Sequence, residues 1–134
     1  MPDSTLPGLK GIMTRLLAYT DLTDLVGTKI YTNVPQQTAF PYIYVELTSS
    51  DWSQKDDTNL EHKIRAHVYS RNSSPYETMN ISTEVYNALN RQEDNISLDS
   101  GDVVLLQYSG IKTTFKEDDG ITWHGVTEFN YLID

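Results

Sequence analysis

His62, His67 and His124 are the side chains with the widest chemical scope in this chain. An imidazole titrates near neutral pH and ligates metals. Acid–base catalysis or metal binding needs at least two such groups, or one with a carboxylate, to converge. His62 and His67 lie five apart in one segment. On a strand that spacing sends them to opposite faces. His124 comes from a distant segment, and only tertiary placement decides whether it meets either of them. The spacing favours ordinary polar or edge histidines. An enzyme pairing His124 with a loop aspartate is the weakest rival reading.

The carboxylates give no stronger signal. Asp51, Asp56, Asp57, Asp118 and Asp119 cluster, but Asp56-Asp57-Thr58-Asn59 lacks the alternating ligands and central glycine of a calcium loop. The phosphate-binding patterns GxGxxG and GxxxxGK are absent, and no serine sits in a GxSxG elbow. There is no cysteine, which excludes disulfides, thiolate catalysis and sulfur-ligated zinc. The expectation is a non-enzyme with no cofactor and no metal.

Charge narrows the partners. Ten basic residues face 19 acidic ones among 134, for a net charge of −9. Such a surface repels DNA and anionic membrane. Its acidic runs read as solvated loops or, more sharply, as the wall of a pore that DNA passes without sticking. The start, MPDSTLPG, has neither the basic nor the apolar stretch of a signal peptide. No apolar run approaches a membrane span. A soluble chain made in a cytoplasm is expected, folded as a single domain over 1–134.

The elements that position these residues follow from periodicity. Leu9, Ile12, Met13, Leu16 and Leu17 form one helical stripe, with Asp3, Ser4 or Thr5 as cap. DLTDLV makes a short helix with Leu22, Leu25 and Val26 inward, stopped by Gly27. Residues 29–34 read as a short strand. Pro35 and Pro41 then fence off a connection. From Tyr42, Ile43, Val45 and Leu47 alternate with Tyr42, Tyr44 and Glu46. Residues 49–59 are a long polar loop or the tip of a long hairpin. In strand 60–71, Ile64, Ala66 and Val68 face the core, opposite Lys63, Arg65, His67 and Tyr69. Ser74-Pro75-Tyr76-Glu77 predicts a capping box opening a helix with Ile81, Val85, Ala88 and Leu89 on one face. Residues 92–102 read as a polar loop, mobile like 49–59. Two strands, 103–116 and 121–133, meet at a tight Asp118-Asp119-Gly120 turn. The sum is an α+β fold: an antiparallel β-sheet of about four main strands with two main helices on one face.

Nine tyrosines and two tryptophans against three phenylalanines suit a surface that is dry in an assembly and tolerable when wet. Trp52, in a charged loop, is the leading contact residue. Candidate self-association positions are Asp51, Trp52, Lys55, Asp56 and Asp57 in that loop, Lys63, Arg65 and Tyr69 on the strand, and Lys116, Glu117, Asp118 and Asp119 at the last turn. The basic strand patch would meet acidic groups of an identical neighbour, or simply be solvated. Reversing Arg65 is expected to weaken assembly and leave the fold intact.

Several stretches occur in a telling order. They are Val26-Gly27, Ile30-Tyr31, Pro35, Pro41-Tyr42, His67-Val68-Tyr69-Ser70-Arg71, Asp119-Gly120 and His124-Gly125-Val126. In that order they resemble the tail-terminator (tail-completion, tail-to-head joining) proteins of long-tailed bacteriophages and gene transfer agents. The resemblance runs from about Leu6 to the C-terminus. It implies a structural protein of the virion tail, made in the bacterial host cytoplasm, with no catalysis and no cofactor. Six copies would close as a homohexameric ring on the finished tail tube, stop tube polymerisation and dock the head connector. The implied partners are self, the tail tube protein and the head-completion protein. Neither membrane nor specific nucleic-acid binding is implied, although DNA would pass through the ring. The alternatives are a head-completion or connector ring subunit, and a small α+β regulatory domain binding a partner peptide.

Overall fold

The computed structural model describes residues 4–50 and 60–134. Asp51, Trp52, Lys55, Asp56 and Asp57 lie outside the described residues, as do Asp3 and the expected mobility of 49–59.

Helix α1 (Thr5–Ala18) buries Ile12 and Leu16 and packs Leu9 and Met13 against the core, as the stripe requires. Leu17 departs from the expectation and stays 43% exposed at the stripe's edge. No side chain caps the helix. The Ser4 hydroxyl instead contacts His62 Nε2 at 2.9 Å. Helix α2 (Thr20–Val26) buries Leu22 and Val26 and ends at Gly27, whose φ of 64° costs an L-residue strain.

Strand β1 is only Ile30–Tyr31, shorter than 29–34, and it runs parallel to β2 (Tyr42–Ser50). Strands β2 and β3 (Leu60–Ser70) form a long antiparallel pair with Ile43 opposite Val68 and Leu47 opposite Ile64. Ser49 and Ser50, expected in the loop 49–59, instead end β2, paired with His62 and Glu61. Helix α3 (Tyr76–Leu89) buries Ile81, Val85, Ala88 and Leu89. Its expected capping box does not form. Glu77 accepts a hydrogen bond from the Ser70 hydroxyl, so its carboxylate is spent on β3.

Within residues 92–102, Glu93 and Ile96 are tied to the rest of the chain. A short 3-10 turn (Glu93–Asn95) leads to Ile96, which is 7% exposed. Glu93 accepts from the Leu106 N–H at 2.9 Å and pairs with Arg91 at 2.8 Å. Burial opposes its ionisation, but these bonds outweigh that and hold its pKa low. Strands β4 (Val103–Lys116) and β5 (Trp123–Ile133) are antiparallel, with shifts in register between Val103 and Leu105 and between Tyr108 and Lys112. Their turn is wider than the tight one expected. Glu117 N–H donates to Thr122 O at 2.8 Å, and Asp119 Oδ1 accepts from the Ile121 and Thr122 N–H groups.

The sheet has five strands in the order β1-β2-β3-β5-β4. Helices α1 and α3 cover one face, and α2 packs on both helices. The core lies between these layers and contains all the positions expected there from β2, β3 and α3. Among the described helices none is long and apolar enough to cross a membrane.

Candidate functional site

No described helix covers the second face of the sheet, and the register arranges it in rows. Thr48, Lys63, Asn130 and Gln107 stand side by side, and Lys63 Nζ donates to Asn130 Oδ1 at 2.7 Å. In the next row Glu46, Arg65 and Glu128 are neighbours. Arg65 Nε donates to Glu128 Oε1 at 2.9 Å, and the Ser109 hydroxyl donates to Oε2 at 3.0 Å. Glu128 is 4% exposed. Burial disfavours its charge, yet the bonds from Arg65 and Ser109 win and depress its pKa. The bond to Glu128 in turn raises the pKa of Arg65. Lys63 and Arg65 are thus not an unpaired basic patch, because each has an acceptor in its own chain. Reversing Arg65 would set a second carboxylate against a buried one, so a loss of stability is expected alongside any loss of assembly.

Farther along, the face turns aromatic. Tyr42 stacks on Tyr69 at 5.1 Å between centroids, Tyr69 on His124 at 4.3 Å, and His124 meets Phe115 at 4.8 Å. Burial, then Tyr42 and the nearby carboxylates, push the Tyr69 phenol up to about 12. Tyr44 stacks on His67 at 5.4 Å.

Two histidines meet within this cluster, contrary to the reading of separate edge groups. His67 Nδ1 lies 2.9 Å from His124 Nε2, and His67 Nε2 lies 3.0 Å from Glu46 Oε1. His124 Nδ1 is 2.9 Å from Glu117 Oε1, an ion-pair contact without hydrogen-bond alignment. Burial, then the neighbouring His67, lower the pKa of His124, while Glu117 works against them. His62 is on the other face and fully buried, between Ser4 Oγ at 2.9 Å and Ser49 Oγ at 2.7 Å. Among the described residues no group of three or more His, Cys, Asp or Glu is set to hold a metal.

Arg71 locks this end of the sheet. Its Nε donates to Thr122 Oγ1 at 3.0 Å, its guanidinium sits 4.3 Å over the Phe40 ring, and Asp119 Oδ2 is 3.7 Å away. The Thr122 hydroxyl, then the Ile121 and Thr122 N–H groups, hold the Asp119 carboxyl below its usual range. A cleft of about 440 Å³ opens on one side of Arg71 beside Pro35, Phe40 and Tyr42. Behind the sheet, Gly125 lets α3 approach. A Cβ there would lie 2.8 Å from both Ser82 Oγ and Thr78 Cγ2.

The family described as Tail completion protein gp17 matches residues 10–134. The chain belongs to that family. Its role is structural, in tail assembly. Among solved structures it is similar to a chain described as "Virion of native gene transfer agent (GTA) particle". The two share 18% identity over 98% of each chain, with a TM-score of 0.85, which establishes a common fold. Among curated proteins none matches.

For a tail completion protein the geometry gives the scattered motifs a single location. Tyr31, Tyr42, Tyr69, Arg71, Asp119 and His124 come from four strands and a turn, and they gather at one end of the open face. Of the sequence candidates, Lys63, Arg65, Tyr69 and Glu117 contribute to that face. Lys116 points elsewhere, with its ammonium 4.9 Å from the Trp123 ring. Asp118 is exposed, and Asp119 is committed to its own turn and Arg71. Sequence reasoning missed Tyr42, Tyr44, Glu46, His67, Phe115, His124 and Glu128 as site residues. The alternation of β2 and β3 was the signal for most of them, since it set Tyr42, Tyr44, Glu46 and His67 opposite the core positions.

Proposed function

We propose that this chain caps the tail tube as a ring, stops tube polymerisation and forms the tail-to-head joining surface. The observation that carries the reading is the open sheet face, where an aromatic row from Tyr42 to Phe115 stands uncovered by the chain's own helices. Such a row gains free energy when a partner removes it from water. A ring needs one patch to meet a different patch on the next copy. The open face would serve as one patch. The segment 51–59, with Asp51, Trp52, Lys55, Asp56 and Asp57, is proposed as the other, and Lys63, Arg65, Tyr69 and residues 116–119 as its surround. The proposed partners are identical copies in a hexamer, the tail tube protein and the head-completion protein. Catalysis has no part in this role, and the net charge of −9 suits a ring that DNA passes without specific binding.

Depletion of the protein during virion production tests the reading by electron microscopy. Tubes of uncontrolled length and heads without tails are expected. Tails of normal length joined to heads would overturn it. Native mass spectrometry of tube ends should show six copies.

A further inference from the structure

Glu46, His67, His124 and Glu117 form an array across the sheet, with β2, β3, β5 and the end of β4 each supplying one residue. The array has three polar contacts, each about 3 Å long: carboxylate to imidazole, imidazole to imidazole, and imidazole to carboxylate. Each contact needs one proton between its two heavy atoms, because ionised carboxylates and bare ring nitrogens only accept. Two neutral imidazoles bring two protons. Whatever the tautomers, at least one contact is then left with two lone pairs facing each other. Such a contact is repulsive, and His124 Nδ1 shows the misfit, being buried and without an aligned hydrogen bond. A third proton satisfies all three contacts and puts one positive charge between two negative ones. A fourth has no contact left to fill.

We propose that the Glu46–His67–His124–Glu117 array is a binding site for one extra proton, which ties four segments of the sheet together and sets the charge of the aromatic face. The ligand is a proton rather than a metal ion on geometric grounds. The inner nitrogens are 2.9 Å apart, within the range of an N–H···N hydrogen bond. Two nitrogens on a tetrahedral zinc ion, at roughly 2.0–2.1 Å each, would stand about 3.3 Å apart. The other groups facing the pair fit a retained cation. Glu46, Tyr42 and Tyr44 come from β2, Arg65 and Tyr69 from β3, Arg71 from just past its end, Glu128 from β5 and Glu117 from just past β4. Arg65 is drawn off by Glu128, and Arg71 by Asp119 and Thr122. The two carboxylates nearest the imidazoles are therefore left to balance the proton. The face proposed for ring assembly includes this site, but the site is a property of the single chain and is tested on it.

The test is nitrogen-15 NMR of histidine-labelled protein from about pH 4.5 to about pH 9.5, bracketing the ordinary histidine value of about 6.5. The pair should titrate in two macroscopic steps, seen at the same midpoints by the nitrogens of both rings, with one above and one below that value and at least about one unit between them. His67→Gln should leave His124 with a single step. Glu117→Gln and Glu46→Gln keep the side-chain shape and should each lower the upper midpoint. Independent single titrations of His67 and His124, indifferent to both glutamine variants, would overturn the proposal. So would stoichiometric zinc uptake at neutral pH that removes both transitions and is reversed by a chelator, which would make the site a metal's. Failure of tails to terminate bears only on the ring, so the two proposals fail separately.

Discussion

The two faces of β3 are alternate residues of one strand, and they handle burial in different ways. Ile64, Ala66 and Val68 point at the helices and are excluded from water with no polar atom to satisfy. Lys63, Arg65, His67 and Tyr69 point the other way, and each is matched to a named partner: Asn130, Glu128, His124 with Glu46, and Tyr42. The inner face is stabilised by area, which is roughly additive and tolerant of shape-conserving change. The outer face is stabilised by pairing, so removing one member leaves another with an unmet desolvation cost. A protein that must fold alone and also present a surface to partners gains from this division. The core holds the sheet rigid while the outer rows keep polar groups ordered without hiding them.

Leu16→Ala tests the inner face and should have the largest effect, a loss of about 2–5 kcal/mol in chemical denaturation. An unchanged melting temperature would remove α1 from the core. Gly125→Ala comes next, at about 1–3 kcal/mol, because a methyl group must push Ser82 and Thr78 of α3 away from β5. The same change at the exposed Gly110, where a Cβ meets nothing within 4 Å, would act only through its φ of 99°.

On the outer face, Arg65→Glu should lower the denaturation midpoint, since it sets like charges against buried Glu128. Glu128→Gln alone, which keeps the shape and loses the charge, should cost about 1 kcal/mol. Adding Glu128→Gln to Arg65→Glu should recover part of the loss. If the two effects simply add, the rows are not coupled and the comparison of faces fails.

The pH dependence is smaller and has a fixed sign. The folded pKa of His124 is below its unfolded value, mainly through burial. In the coupled pair this depression is that of the lower step, in which both rings become charged, and the stability tied to it is lost as pH falls through that lower midpoint. Glu128 is likewise depressed, so its contribution is present above about 4.3 and lost on further acidification. Thermal melts should fall in two stages below neutrality, and His124→Gln should flatten the first. Asp118→Asn, on the exposed turn, should stay within about 0.5 kcal/mol of the parent. A larger change would mean that the turn is engaged by more than its own backbone.

The sequence alone determined what depends on neighbours along the chain. Hydrophobic periodicity identified α1, α2, α3 and four long strands, because a 3.6-residue or 2-residue repeat directly marks a buried face. It also identified the core residues of β2, β3 and α3. Motif order pointed to the family. Local signals failed where a distant group competed for the same atoms. The cap of α1 lost Ser4 to His62, and the box of α3 lost Glu77 to Ser70. No local signal marked Glu93 and Ile96 as anchors within 92–102, because the Leu106 N–H and the core that hold them are far away in sequence. Tertiary structure alone decided the outer face. His67 and His124 are 57 residues apart, and Arg65 and Glu128 are 63 apart. No periodicity couples positions at such separations. They meet because β5 inserts between β3 and β4 in a register set by the packing of Gly125, Phe129 and Tyr131 beneath it, and that register fixes which side chains share a row above.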